Sequence, residues 1–297
     1  MTATTTTPIK HIVLSGGGII CFNQLGVLKT TYERGLWNYD NLASVWATSA
    51  GSFLAFILCL KYDWETIEQY FVKRPWQTLF KINLETIINS YQNKGMLDKS
   101  VVIEMFKPLV NARDIPIDIT MFELFETTQI DLHLFATKYE TLELVDISHT
   151  THPHWKVIDA IYCSCCLPLL FCPFTDSATQ DVYLDGGIVQ NYPLKQCVEY
   201  YCEEDATMGI AGDYSDRIEK RETQEFSLFD YVAKLIDKMV IKLNGYHSAT
   251  YNIKHNFYIK IPLMDIYSIY LATNDEKMRV KLIQDGVDCV AEITGNS

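Results

Sequence analysis

Apolar residues in the first sixty positions form two solid runs, each followed by helical spacing. His11 to Ser15 runs into Gly16-Gly17-Gly18, after which Phe22, Leu25, Val27 and Leu28 mark a helix that ends at Arg34-Gly35. Residues 41 to 48 form the second run, and an apolar helix follows from Ala50 to Leu60. Solid runs alternating with helices are the mark of strands buried on both faces, so the opening predicts a parallel sheet flanked by helices.

The pattern continues with a helix start at Asp63-Trp64-Glu65-Thr66 and with Ile67, Tyr70 and Phe71 at helical spacing. Residues 76 to 110 read as largely helical, interrupted at Lys94-Gly95. Residues 131 to 136 and 140 to 147 read as two strands joined by a turn near Lys138. After a polar loop at 149 to 154 come a helix from Lys156 to Tyr162, a short strand Val182-Tyr183-Leu184 and a further strand at 206 to 211. Residues 213 to 225 read as a charged surface loop. From Phe226 to Leu243 the apolar positions make one stripe, an amphipathic helix that packs on the sheet or meets a lipid surface. No internal repeat interrupts this order.

Composition narrows the class. Of 297 residues, 48% are hydrophobic and 21% charged, the balance of a folded globular chain. A net charge of −12 disfavours nucleic acid as a partner, because a phosphate backbone calls for clustered Lys and Arg. The run from Val45 to Leu60 is short of the roughly 20 residues of a bilayer span and contains Thr48, Ser49, Gly51 and Ser52, so no transmembrane segment is expected. Met1 to Pro8 is a Thr-rich stub without the apolar region of a signal peptide, and nine cysteines then read as reduced thiols. The expectation is a cytoplasmic protein, with peripheral membrane contact left open.

Candidate chemistry centres on Ser49, in Ala47-Thr48-Ser49-Ala50-Gly51 between the second run and its helix. A strand turning sharply into a helix strains its corner residue and needs small neighbours two positions away, which Ala47 and Gly51 supply as elbow support. By itself this serine could equally be a helix cap. Gly16-x-Gly18-x-x-Cys21 approaches a dinucleotide fingerprint, but it lacks the third glycine and the second strand does not end in an acidic residue. A P-loop fails for want of Gly-Lys-Ser/Thr.

Four features in order, Gly16-Gly17-Gly18, Ser49, the small-residue stretch from Asp159 to Pro168, and Asp185-Gly186-Gly187 with Asn191 and Pro193 downstream, resemble the patatin-like phospholipase family. The resemblance covers about residues 11 to 212. It implies a three-layer α/β/α fold with a mostly parallel central sheet, and a lipid acyl hydrolase of phospholipase A or lysophospholipase type without a cofactor. It further implies a catalytic dyad of Ser49 and Asp185, an oxyanion hole from the amides of Gly16, Gly17 and Gly18, and a lipid substrate at a membrane or micelle surface. The chain departs from the family pattern at Ala47, where glycine is usual, and at Ile20 and Cys21, where a basic residue and a glycine are usual.

The expected organisation is a disordered polar stretch at 1–10, a patatin-like catalytic domain at 11–212 and a C-terminal helical extension at 213–297 packed on the same domain. Two other readings stay open. His247 and His255 follow Asp185 in the chain order of a Ser-Asp-His triad. The departures at Ala47, Ile20 and Cys21 also suit a noncatalytic lipid-binding or scaffold protein. No metal site is expected: Cys163, Cys165, Cys166 and Cys172 are spaced poorly for zinc and suit small apolar packing, and His149, His152 and His154 read as a solvated loop.

Overall fold

The first two apolar runs become neighbouring parallel strands, β1 (His11–Leu14) and β2 (Ser44–Thr48), and each feeds a helix, α1 (Ile20–Glu33) and α2 (Gly51–Cys59). The computed structural model describes residues 7–81, 83–213, 251–260 and 266–295, with scattered positions between 231 and 242. Along the chain follow α3 (Trp64–Lys73), α4 (Leu84–Asn93), β3 (Gly95–Leu97), α5 (Ser100–Asn111), α6 (Met121–Thr128), β4 (Asp131–Lys138) and β5 (Leu144–Ile147). Then come α7 (Val157–Ser164), β6 (Leu169–Phe171), β7 (Phe174–Thr175), β8 (Val182–Asp185), α8 (Leu194–Tyr201) and β9 (Thr207–Asp213). The described part closes with β10 (His255–Lys260), α9 (Ile266–Asn274) and α10 (Glu276–Gly295).

Five strands run parallel in the order β10, β9, β1, β2, β4. Side chains alternate across this sheet. Ile12, Leu14, Val45, Ala47, Leu132, Leu134 and Ala136 point into the larger apolar cluster with α1 and α2. Val13, Trp46 and Phe135 point the other way, against Leu194, Cys197 and Val198 of α8. Two cores on opposite faces of one sheet make the three-layer α/β/α architecture, which is the arrangement that solid apolar strands require.

The end of β4 is where the sheet stops being parallel. Residues Leu134 to Thr137 pair antiparallel with β5. β2 pairs with Asp131 to Phe135, and β8 pairs antiparallel with Ala136 to Lys138. Because β5 occupies one edge of β4 across residues that also pair with β2 and with β8, those two strands share the opposite edge. They meet end to end there, with Thr48 opposite Phe135 and Asp185 opposite Ala136.

Past residue 213 the chain is not solely helical. β10 extends the sheet beside β9, and α10 packs on α1, where Asn23 Nδ2 donates to the Leu282 carbonyl at 2.8 Å. Neither run of a strand nor its pairing was expected in this region, since 255 to 260 is too short and too mixed to stand out. The expected amphipathic helix from Phe226 to Leu243 falls mostly outside the described residues, as do the charged loop expected at 213 to 225, apart from Asp213 at the end of β9, and the start of the polar N-terminus. Among its described positions, Tyr231, Leu235 and Met239 are exposed. Between 76 and 110 the interruption at Lys94 is a left-handed residue that ends α4, and β3 follows at once.

Candidate active site

The corner between β2 and α2 is occupied by Ser49, whose φ of 52° lies in the left-handed region that serine rarely adopts. Such a conformation persists only when its surroundings enforce it. Three contacts do so. The Ser49 amide donates to Ser164 Oγ at 2.9 Å, the Ser49 carbonyl accepts the Ser52 amide at 2.8 Å, and the Cys165 thiol donates to the same carbonyl at 3.0 Å. Close packing explains the small neighbour: a Cβ on Gly51 would lie 2.8 Å from the Ser15 carbonyl oxygen and 2.9 Å from that of Leu14. Ala47 is fully buried in the first core.

The head-on meeting of β2 and β8 brings the Ser49 hydroxyl to Asp185. Oγ donates to Oδ2 at 2.6 Å, while the Gly187 amide donates to Oδ1 at 2.7 Å. The aspartate backbone is fixed as well, its amide donating to the Cys166 carbonyl at 3.0 Å and its carbonyl accepting from Thr137 Oγ1 at 2.9 Å. Asp185 is 3% exposed. Burial pushes its carboxyl up to about 6, against the opposing pull of the Ser49 and Gly187 hydrogen bonds. A carboxylate poised there is a better proton acceptor than one in water.

The glycine run lies against the same corner, but its three amides are not equivalent. Gly16 N–H donates to the Asn191 carbonyl at 3.0 Å, and Asn191 Nδ2 donates back to the Gly16 carbonyl at 3.3 Å. A Cβ on Gly16 would collide with Asn191 Oδ1 and lie 2.8 Å from Ser49 Cβ. Gly16 is therefore a strut between the serine corner and the loop after Asp185, and its amide, expected in the oxyanion hole, here bonds the Asn191 carbonyl. Gly17 and Gly18 both have positive φ, at 144° and 59°, and no acceptor among the described residues takes their amides. Nor does any acceptor among the described residues take the amide of Ala50, the residue after the corner serine, although the amide following an elbow nucleophile is a usual oxyanion donor.

Ser164 is the other group that the sequence did not single out. Its hydroxyl donates to the Phe135 carbonyl at 2.7 Å and accepts from the Ser49 amide and from Ser52 Oγ, at 2.9 and 3.0 Å. The stretch containing it was legible as small and apolar, but its partner lies 115 positions away in the chain.

Cys163, Cys165 and Cys166 are buried, and burial pushes their thiols above the ordinary range, so they pack as neutral groups. Among the described residues, no group of three or more His, Cys, Asp or Glu is arranged to hold a metal ion. His149 departs from the solvated reading: it stacks on Phe125 with centroids 3.8 Å apart, and its Nδ1 lies 2.8 Å from Asp131 Oδ1. Asp131 begins β4, so this contact sits at the end of the sheet away from Ser49. His255 is level with Met208, and through it with Ile12 and Val45, at the lower end of β10 and three strands from β2. His247 lies outside the described residues.

A serine with left-handed backbone is thus joined to a buried aspartate at the strand ends of a three-layer α/β/α sheet. The family follows from the sequence as a whole: a family model described as Patatin-like phospholipase matches residues 12–198, and the chain belongs to that family. Uncharacterized protein R571 of Acanthamoeba polyphaga mimivirus is 23% identical over 235 residues, spanning 76% of this chain and 74% of that protein. Among solved structures, VipD from Legionella pneumophila superimposes with a TM-score of 0.55 at 17% identity, covering 98% of this chain and 67% of that one. This likeness is one of fold. Among the described residues no helix is long and apolar enough to cross a membrane.

Proposed function

We propose that the protein is a lipid acyl hydrolase of phospholipase A or lysophospholipase type, working through Ser49 and Asp185. In the first step Ser49 Oγ attacks the ester carbonyl carbon as its proton passes to Asp185 Oδ2. The negative charge that develops on the carbonyl oxygen is met by the amides of Gly17, Gly18 and Ala50. Fixed donors of this kind contribute about 3 to 4 kcal/mol of barrier lowering each. Collapse of the tetrahedral species expels the alcohol part of the lipid, which takes the proton from Asp185, and leaves the acyl group on Ser49. Water then attacks that ester, giving its proton to Asp185, and the fatty acid leaves as Ser49 recovers its hydrogen.

The observation that carries this reading is the 2.6 Å hydrogen bond between Ser49 and a buried carboxylate, at a corner with positive φ. Family membership supports a lipid ester as the substrate. A histidine relay has no support among the described residues, where the Asp185 carboxylate is held by the Ser49 hydroxyl and the Gly187 amide. A noncatalytic scaffold would have no use for a strained serine, and Ala47 fits its site without distorting the corner. Incubating the purified protein with a lipid mixture should release free fatty acids together with lyso-products. Release of neither, under conditions where the protein is folded, would leave the scaffold reading.

A further inference from the structure

Among its described side chains, helix α4 turns its apolar residues outward. Its polar Thr86 and Ser90 are half-buried, whereas Ile87, Ile88 and Tyr91 are 47%, 64% and 93% exposed. At 100° per residue these three lie within about 100° of arc, so they form one apolar face turned to water. Ordinary surface helices turn that face inward, and isolated exposed apolar residues are common but clustered ones mark contact sites. The helix is nonetheless well made, with a capping box at Asn83 and Thr86 and a left-handed stop at Lys94. Exposed Lys81 and Lys94 flank it.

Its position gives the face a purpose. α4 passes through Lys94 into β3, which pairs with β6, and β6 begins three residues after Cys166. The Cys166 carbonyl holds the Asp185 amide, and the adjacent Cys165 thiol holds the Ser49 carbonyl. From there into β6, Leu167, Pro168, Leu169 and Leu170 are all half-buried. An exposed apolar helix thus leads through a two-stranded ribbon and a partly exposed apolar segment to the reacting groups.

We infer that the Ile87-Ile88-Tyr91 face of α4 seats the protein on a lipid surface, at the outer end of the segments that lead to the Ser49 site. This rests on the proposed lipid acyl hydrolase activity, which requires a substrate drawn from such a surface. Binding comes from insertion of apolar side chains between headgroups, with Lys81 and Lys94 at the level of the phosphates. With a net charge of −12 on the chain, it does not depend on attraction to anionic lipid.

The test uses full-length Ser49→Ala protein, so that vesicles stay intact, and co-sedimentation with vesicles of pure phosphatidylcholine. Adding Ile88→Glu or Tyr91→Glu is expected to lower the partition coefficient by about 10-fold or more each. The parent's partition is expected to be insensitive to salt. In the Ser49 protein the same two changes should slow vesicle hydrolysis and leave hydrolysis of a water-soluble p-nitrophenyl ester, and the thermal midpoint, unaltered. A parent that does not partition, or variants that partition equally well, would overturn docking through α4. So would variants that convert a parent dimer to monomer with vesicle partition unchanged, which would assign the face to a second copy of the chain. Failure of the protein with Ser49 intact to hydrolyse even the soluble ester would instead count against the proposed activity, since partition of the Ser49→Ala protein needs no turnover.

Discussion

The hydroxyl of Ser164 accepts the backbone N–H of Ser49 at 2.9 Å and passes its own hydrogen to the Phe135 carbonyl at 2.7 Å. One buried side chain thereby ties the strained corner to β4, the strand on whose edge Asp185 also rests. Ser164→Ala leaves an amide and a carbonyl without partners and should cost about 1 to 3 kcal/mol of stability. It should also lower kcat by 10-fold or more with little change in KM, because the corner loses its setting rather than its affinity. Urea denaturation and steady-state kinetics on a soluble ester read the two effects separately.

Asp185 predicts the pH dependence. Its folded carboxyl sits at about 6, above the usual value, because burial disfavours the charge. As the proposed base it must be ionised, so kcat/KM should rise with pH and level off above about 6. The stability consequence has the opposite sign. The folded state favours the protonated carboxyl, so this group's contribution is full below the unfolded value near 3.8 and is lost as pH rises through about 6. Asp185→Asn should therefore abolish activity while raising stability at pH 8, by up to ~3 kcal/mol. Equal activity at pH 5 and pH 8 would contradict the assigned base.

The two small neighbours of Ser49 should respond differently. Gly51→Ala places a methyl 2.8 to 2.9 Å from two backbone carbonyl oxygens that cannot move without breaking β1, and should cost more than ~2 kcal/mol with a 10-fold or greater loss of rate. Ala47→Gly restores the commoner residue of the family pattern. It should cost about 0.5 to 1 kcal/mol in backbone freedom and leave the rate within about twofold. Thermal midpoints and esterase rates distinguish the pair.

Neither candidate histidine should matter to turnover. His255 is at the far end of β10, and His255→Ala and His247→Ala should each keep kcat/KM within about twofold of the parent. A loss as deep as that of Ser49→Ala would reinstate a triad.

Much of this was readable along the chain. The apolar runs within 11 to 15 and 41 to 48 are β1 and β2 because strands covered on both faces are apolar at most positions. The helix over 157 to 164 and the strands near 131, 182 and 207 followed from the same periodicity. The β3–β6 ribbon escaped because three-residue strands carry no period, and β10 because only two of its six residues are buried. Ser49 and Asp185 announced themselves through local constraint, a tight corner and an Asp-Gly-Gly turn. How they converge did not, since it depends on β2 and β8 sharing one edge of β4. The roles of Gly16, Asn191 and Ser164 escaped for the same reason: each is defined by a partner more than a hundred residues away.

The pairing of Ser49 with Asp185 is open to one direct measurement, the rate and site of reaction with a fluorophosphonate, read by mass spectrometry of the intact and digested protein. A single phosphonyl adduct on Ser49 is expected, forming at least 100-fold more slowly in Asp185→Asn and not at all in Ser49→Ala. Adduct elsewhere, or undiminished labelling of Ser49 once Asp185 is replaced, would contradict it.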